Sequence, residues 1–287
     1  MSGFLEEAGR TPIAYIVLLA YATLALVTDP FDPPVETLVR YGACVPLLVQ
    51  GGEPWRLLSH AFLHGGLIHL LFNAMFLYQL GPMFERTVGS PRFALIYVVS
   101  AVAGALNANL WTHPLTPLVG GSGALFGLLG ASVALNMRRG RHLLDFLNYS
   151  GPRQVLLLIA VNLLLGLLIP MISNAAHIGG LVAGFLLVFF FLEPGRTAAD
   201  ATARVTQAGC VALFASLLFY NLNPVLRWDY LLRRALQSSE PAVSARFDEA
   251  LRALRPPASV LGLLGEFADP DMPGYLKRPV TRWSQGR

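Results

Sequence analysis

Seven stretches of this chain are apolar for long enough to cross a lipid bilayer, and this restricts the fold more than any other feature. They fall at about 12–28, 66–86, 92–111, 122–137, 154–170, 174–192 and 205–222. The bilayer interior offers no water to backbone N–H and C=O groups, so a spanning segment must satisfy them internally. None of the runs alternates with the period of a strand, which leaves helices. Composition agrees: 54% of residues are hydrophobic and 13% charged, about half the charged share of a soluble protein. Mean hydropathy is +0.55. A water-soluble globule and a disordered chain are excluded. The two cysteines, Cys44 and Cys210, are far apart, and the second lies in an apolar run. Neither a disulfide scaffold nor a cysteine metal site is expected. The fold class is therefore all-α, a polytopic membrane helix bundle.

The net charge is +4, and the sequence pI is about 9.3. The basic excess does not point to nucleic acid, because the arginines cluster in short gaps between apolar runs. With a cytoplasmic N-terminus over 1–11, the inner segments hold nine arginines (Arg10, Arg86, Arg92, Arg138, Arg139, Arg141, Arg153, Arg196 and Arg204). The outer loops before the tail hold two, Arg40 and Arg56. That is the positive-inside pattern. The first run reads as a retained helix rather than a cleaved leader. Residues 29–65 form a long outer loop, 193–223 a linker and the seventh span, and 224–287 a polar tail. Within the tail, 226–237 and 243–254 have the pattern of short amphipathic helices.

Ionisable and polar side chains within a span are costly and mark function by default. Spans two, four and six all run from outside to inside, so their first turns share one face and one depth. Those turns carry His69 and Asn73, then Ser122, then Asn174 and His177. The odd spans bring no matching group. Each residue alone has a plainer explanation. Ser122 lies in Gly120-Gly121-Ser122-Gly123, a stretch suited to close helix packing. His177 could serve an interhelical hydrogen bond, and Asn107, Asn109, Asn136 and Asn162 read as helix glue. The group stands out through co-location and spacing. Gly123 and Gly127 on one helix, with Gly180 and Gly184 on another, let the two backbones touch and bring Ser122 to His177.

This arrangement suits acyl transfer. A serine hydroxyl is a weak nucleophile until a base removes its proton, and His177 can be that base. The oxyanion needs preset donors, which the Asn73 amide, the His69 ring N–H and the Ser122 backbone N–H could supply. No acidic residue lies in the apolar part of these helices, so a Ser-His dyad is expected rather than a triad. The fourth run, as a helix of roughly 24 Å at 1.5 Å per residue, falls short of the roughly 30 Å hydrocarbon layer. Its serine end should therefore lie below the outer surface, in a cavity open to water on that side.

These residues resemble the rhomboid family of intramembrane serine proteases. The resemblance covers about 55–192. Trp55-Arg56 resembles the family's outer-loop motif, and His69 to Asn73 its H-x-x-x-N element. Glu85-Arg86 is similar to its polar helix-end motif. Gly120 to Gly123 resembles G-x-S-G, and Ala176 to Gly184 resembles A-H-x-x-G-x-x-x-G. The resemblance implies a six-helix rhomboid-like core over 12–192, with the run at 205–222 as a seventh transmembrane helix. It implies an endopeptidase that hydrolyses peptide bonds in or near transmembrane helices of other proteins, with Ser122 as nucleophile, His177 as base, and His69 and Asn73 at the oxyanion. It implies no cofactor and no metal, with membrane-protein substrates and the lipid bilayer as partners; the location expected for the chain is a bacterial inner membrane. Trp55 and Arg56 would lie at the membrane interface. Where some members carry Tyr four residues after the nucleophile, this chain has Phe126, which can stack on His177 but cannot donate a hydrogen bond. Two alternatives remain: a rhomboid-like pseudoprotease that binds helices without cutting them, and a small transporter, which the absence of an internal repeat disfavours.

Overall fold

A computed structural model of the chain describes residues 2–50, 53–112, 116–138, 150–169, 172–192 and 201–222. The expected tail over 224–287 lies outside the described residues. In chain order the helices are α1 (Ser2–Arg10), α2 (Pro12–Thr28), α3 (Val35–Tyr41), α4 (Pro46–Gln50), α5 (Arg56–Ser59), α6 (Leu67–Val88), α7 (Ser90–Trp111), α8 (Ser122–Arg138), α9 (Ser150–Leu168), α10 (Asn174–Leu187) and α11 (Ala201–Leu222). Each of the seven apolar runs is helical through nearly all of its described residues. Leu67–Val88, Ser90–Trp111, Asn174–Leu192 and Arg204–Leu222 are long and apolar enough to cross a membrane; Pro12–Thr28 and Leu156–Leu168 are shorter apolar helices. Among the described residues there is no strand, only an isolated bridge between Cys44 and Leu118. This is an all-α membrane helix bundle.

The elements begin and end for local reasons. Proline opens α2, where its missing N–H costs nothing. The next two amides, of Ile13 and Ala14, donate to the buried carboxylate of Glu85 at 3.1 and 2.8 Å, and the Ser90 hydroxyl donates to it at 2.6 Å. An anion at the positive end of a helix is favourable, so the polar end of α6 ties three helices together. Beside it, Arg86 pairs with Glu7. After α2 the chain turns at Asp29, which has φ 76° and whose Oδ1 accepts from the Phe31 amide at 2.9 Å, a local bond that makes Asp a turn residue.

Helices α7, α8 and α10 form the kernel, and glycine makes their contact possible. A β-carbon on Gly180 would fall on the Gly123 carbonyl, one on Gly184 on the Gly127 carbonyl, and one on Gly130 on the Leu181 carbonyl. On the α7 side, Gly104 approaches Ala176, and Gly127 faces the Ser100 hydroxyl. Backbones this close gain dispersion and weak polar contact that lipid chains cannot replace. Helix α8 is consequently buried along most of its length, whereas α6, α9 and α11 turn large apolar side chains outward (Leu71, Phe72, Leu164, Leu167, Val205 and Phe219).

The outer loop is more structured than expected. It contains α3, α4, α5 and a short 3-10 turn over His60–Phe62. Arg56 is turned into the loop rather than outward. It is buried, donating to the Val39 and Ala43 carbonyls at 2.6 and 3.0 Å and to Glu53 at 2.6 Å. Half-exposed Trp55 covers it, with the guanidinium carbon 4.5 Å from its ring centre. A guanidinium carries five donors, and two carbonyls and a carboxylate inside the loop take three of its contacts.

Candidate active site

Ser122 is the first residue of α8, and His177 lies in the first turn of α10. Ser173 caps α10 by accepting from the Ala176 amide at 3.2 Å. From α7, Asn107 donates to the Ala175 carbonyl at 2.8 Å. These contacts and the glycine seam fix both helix starts at one level. The His177 Nε2 and Ser122 Oγ atoms are 2.8 Å apart, a normal hydrogen bond. Ser122 is half-buried and His177 buried. Among the described residues, none hydrogen-bonds the other ring nitrogen of His177. Its plane is set instead by Phe126, whose ring lies parallel to it at 5° with centroids 4.1 Å apart.

Across from this pair, α6 supplies His69 and Asn73. The Gly65 amide donates to His69 Nδ1 at 3.3 Å. That bond makes Nδ1 the acceptor, so the ring proton of neutral His69 is on Nε2. Nε2 points at the segment leading into Ser122: a β-carbon on Gly120 would lie 2.6 Å from it. Gly120 also has φ 113°, a region open to glycine. Asn73 donates to the His69 carbonyl at 2.9 Å through one hydrogen of its amide nitrogen, leaving the second.

Asn174 does not join this group. Its amide donates to the Leu163 carbonyl of α9 at 3.0 Å, and its oxygen sits where a side chain on Gly166 would be. The residue joins α10 to α9 because that close glycine approach leaves room on that side. Of the other asparagines, Asn107 bridges helices, Asn109 accepts from the Cys44 thiol at 3.7 Å, and Asn136 and Asn162 bond back to their own helices at 2.8 Å.

Three neighbours carry no role in the sequence reading. His64, in the outer loop, is buried with its ring 5.2 Å from that of His69 and 4.5 Å from that of Tyr21, both edge-on. Burial, with the charge of nearby His69 as the second cause, pushes its pKa down to about 3. His60, also buried, is lowered to about 4 by burial, and its Nδ1 meets the Arg56 carbonyl at 3.2 Å. Tyr21 of α2 is fully buried and shares a 2.7 Å hydrogen bond with the Tyr97 hydroxyl. The four-residue step from His60 to His64 was a signal available in the sequence. Nothing in the sequence marks Tyr21 over Tyr15, the other aromatic of its run.

Residues 51–194 match the Rhomboid domain. The chain is 34% identical over 221 residues to the Rhomboid protease GluP of Bacillus subtilis (strain 168), covering 76% of this chain and 41% of that protein. It is 33% identical over 189 residues to the Putative rhomboid protease YdcA of the same organism, covering 63% of this chain and 89% of that one. It is 38% identical over 165 residues to RHOMBOID-like protein 5 of Arabidopsis thaliana, covering 56% and 51%. The chain thus spans about half the length or less of two of these relatives. Together with the bundle and the ordered motifs it contains, the match places this chain in the rhomboid family.

Proposed function

We propose that this chain is an intramembrane serine endopeptidase that cleaves transmembrane helices of other membrane proteins through a Ser122–His177 dyad. The 2.8 Å contact between Ser122 Oγ and His177 Nε2 carries the reading. Ser122 Oγ attacks the scissile carbonyl carbon as His177 Nε2 takes its proton. The carbonyl oxygen becomes an oxyanion facing three donors: the His69 Nε2–H, the Asn73 amide and the Ser122 backbone N–H. The last is one of the unpaired amides at the positive end of α8. Collapse of the adduct breaks the C–N bond, and His177 passes its proton to the departing amine. Water, deprotonated by His177, then hydrolyses the acyl ester and restores the serine.

In this mechanism His69 and Asn73 serve the oxyanion, and Phe126 replaces the orienting carboxylate of a triad. Partial exposure of Ser122 and His69 supports entry of water. The arginine distribution supports a cytoplasmic N-terminus, which puts the dyad toward the outer leaflet of what we take to be a bacterial inner membrane. In detergent or liposomes, Ser122→Ala and His177→Ala should each abolish cleavage of a reporter transmembrane substrate while the protein stays folded. A fluorophosphonate should label Ser122 in the unaltered chain. Cleavage at the unaltered level by either variant would remove the proposal. Absence of both labelling and cleavage in the unaltered chain would instead favour helix binding without chemistry.

A further inference from the structure

The segment that delivers Ser122 hangs from the outer loop. Cys44 and Leu118 exchange two backbone hydrogen bonds, at 2.9 and 2.8 Å, and the Gly120 amide donates to the His60 carbonyl at 2.9 Å. The seating of the loop therefore sets the path of 118–121, the four residues that lead into the serine. The loop itself rests on α11. Phe214, Leu217, Leu218 and Leu222 of that helix pack on a cluster containing Cys44, Val49, Leu57 and Leu106, and Leu118 packs on the same cluster. One step along the helix, Asn221 is fully buried and donates to the Leu106 carbonyl of α7 at 3.3 Å as well as to Leu217 of its own helix at 2.9 Å.

A carboxamide buried at the outer end of a lipid-exposed helix is costly unless it holds that end in place. The remaining outward positions of α11, Val205, Val211, Leu213 and Phe219, are ordinary exposed apolar residues. The inner end of α11 is tied to the end of the α10 segment, where Gln207 donates to the Phe190 carbonyl at 2.6 Å, and the packing of its outer end is directed at the loop and at α7. Helix α11 also lies beyond residues 51–194, the part of the chain that matches the Rhomboid domain.

We propose that α11 is a positioning element for the site: its outer end braces the outer loop and, through the Cys44–Leu118 pair, holds the approach to Ser122 in register. The inference rests on the serine-protease reading, but its test does not, because Cys44 is a fully buried thiol, not in a disulfide, within the brace. In a Cys210→Ser background it is the single cysteine of the chain, and the rate at which a membrane-permeant maleimide labels it reports opening of the loop. Asn221→Leu and Phe214→Ala should each raise that rate about tenfold by making a local opening easier. The same two variants should lower kcat on a reporter substrate, and the rate of fluorophosphonate labelling of Ser122, by a similar factor, with KM changed less than kcat. Asn221→Leu preserves a helix-forming side chain of similar size, so thermal unfolding should stay cooperative. Unchanged Cys44 labelling in both variants overturns the brace. A chain that shows faster Cys44 labelling but no proteolysis even when unaltered refutes the protease reading and leaves the brace standing.

Discussion

The hydroxyl of Tyr21 stands where a side chain on Gly121 would begin. The same ring lies with its Cζ 2.7 Å from that position, and the Ala61 carbonyl is 3.1 Å from it. Helix α2 thus reaches across the bundle to the residue directly before Ser122. Gly121→Ala should displace the segment and lower kcat about fivefold or more, since overpacking of a tight interior costs about 1–3 kcal/mol. Tyr21→Phe combined with Gly121→Ala removes the oxygen but not the ring, and should recover part of the loss. Steady-state cleavage by the two singles and the double checks this. Strictly additive losses would show that the two positions do not share space.

The parallel ring contact of Phe126 with His177 makes a different prediction. An aromatic pair contributes roughly 0.5–1.5 kcal/mol beyond its buried area. Phe126→Leu keeps an apolar side chain but gives up the stacking, so kcat should fall roughly three- to tenfold. Phe126→Tyr should retain most activity. An undiminished kcat in Phe126→Leu would mean that something else orients the imidazole.

Removal of one oxyanion donor costs on the order of 2.7–4 kcal/mol in other serine hydrolases, a factor of about a hundred to a thousand in kcat. On the proposed mechanism Asn73→Ala should fall in that range with little change in KM, because the interaction would be made in the transition state. A rise in KM at constant kcat would reassign Asn73 to substrate binding.

Low pH should destabilise the outer loop. His60 and His64 titrate near 4 and 3 in the folded protein, against about 6.5 for an unburied imidazole. The folded state holds both neutral, so their contribution is fully present above about pH 6.5 and is lost as pH falls toward 4, where the unfolded chain gains protons first. For His60 alone the loss amounts to about 3 kcal/mol over that window. Thermal unfolding in micelles at pH 7.5 and 4.5 should show it, and His60→Gln should flatten the dependence. An equally steep dependence in His60→Gln would place its origin elsewhere.

Much of the framework is legible in the residues. Apolar length alone locates the seven helices, and the direction of the chain through the membrane puts the starts of α6, α8 and α10 at one face. The glycines at 123, 127, 180 and 184 indicate how near α8 and α10 come, and Ser122 and His177 do meet. The illegible part is what depends on long-range packing. The sequence sets Asn174 only three residues from His177, yet the open side at Gly166 draws it to α9. Nothing in the residues around Arg56 announces that the Val39 and Ala43 carbonyls take its guanidinium inside the loop. Tyr21 and Asn221 become recognisable only when helices remote in the chain come together.

The carbonyl contacts between α8 and α10 also have a mechanical consequence. Helices separated by side chains can slip or tilt as a bilayer thickens, thins or is replaced by detergent. Helices whose main chains already touch have no compressible layer to absorb such a change. The spacing of Ser122 and His177 should therefore stay constant from one lipid to another, and any dependence of turnover on membrane thickness would originate in the outward-facing helices around this rigid pair.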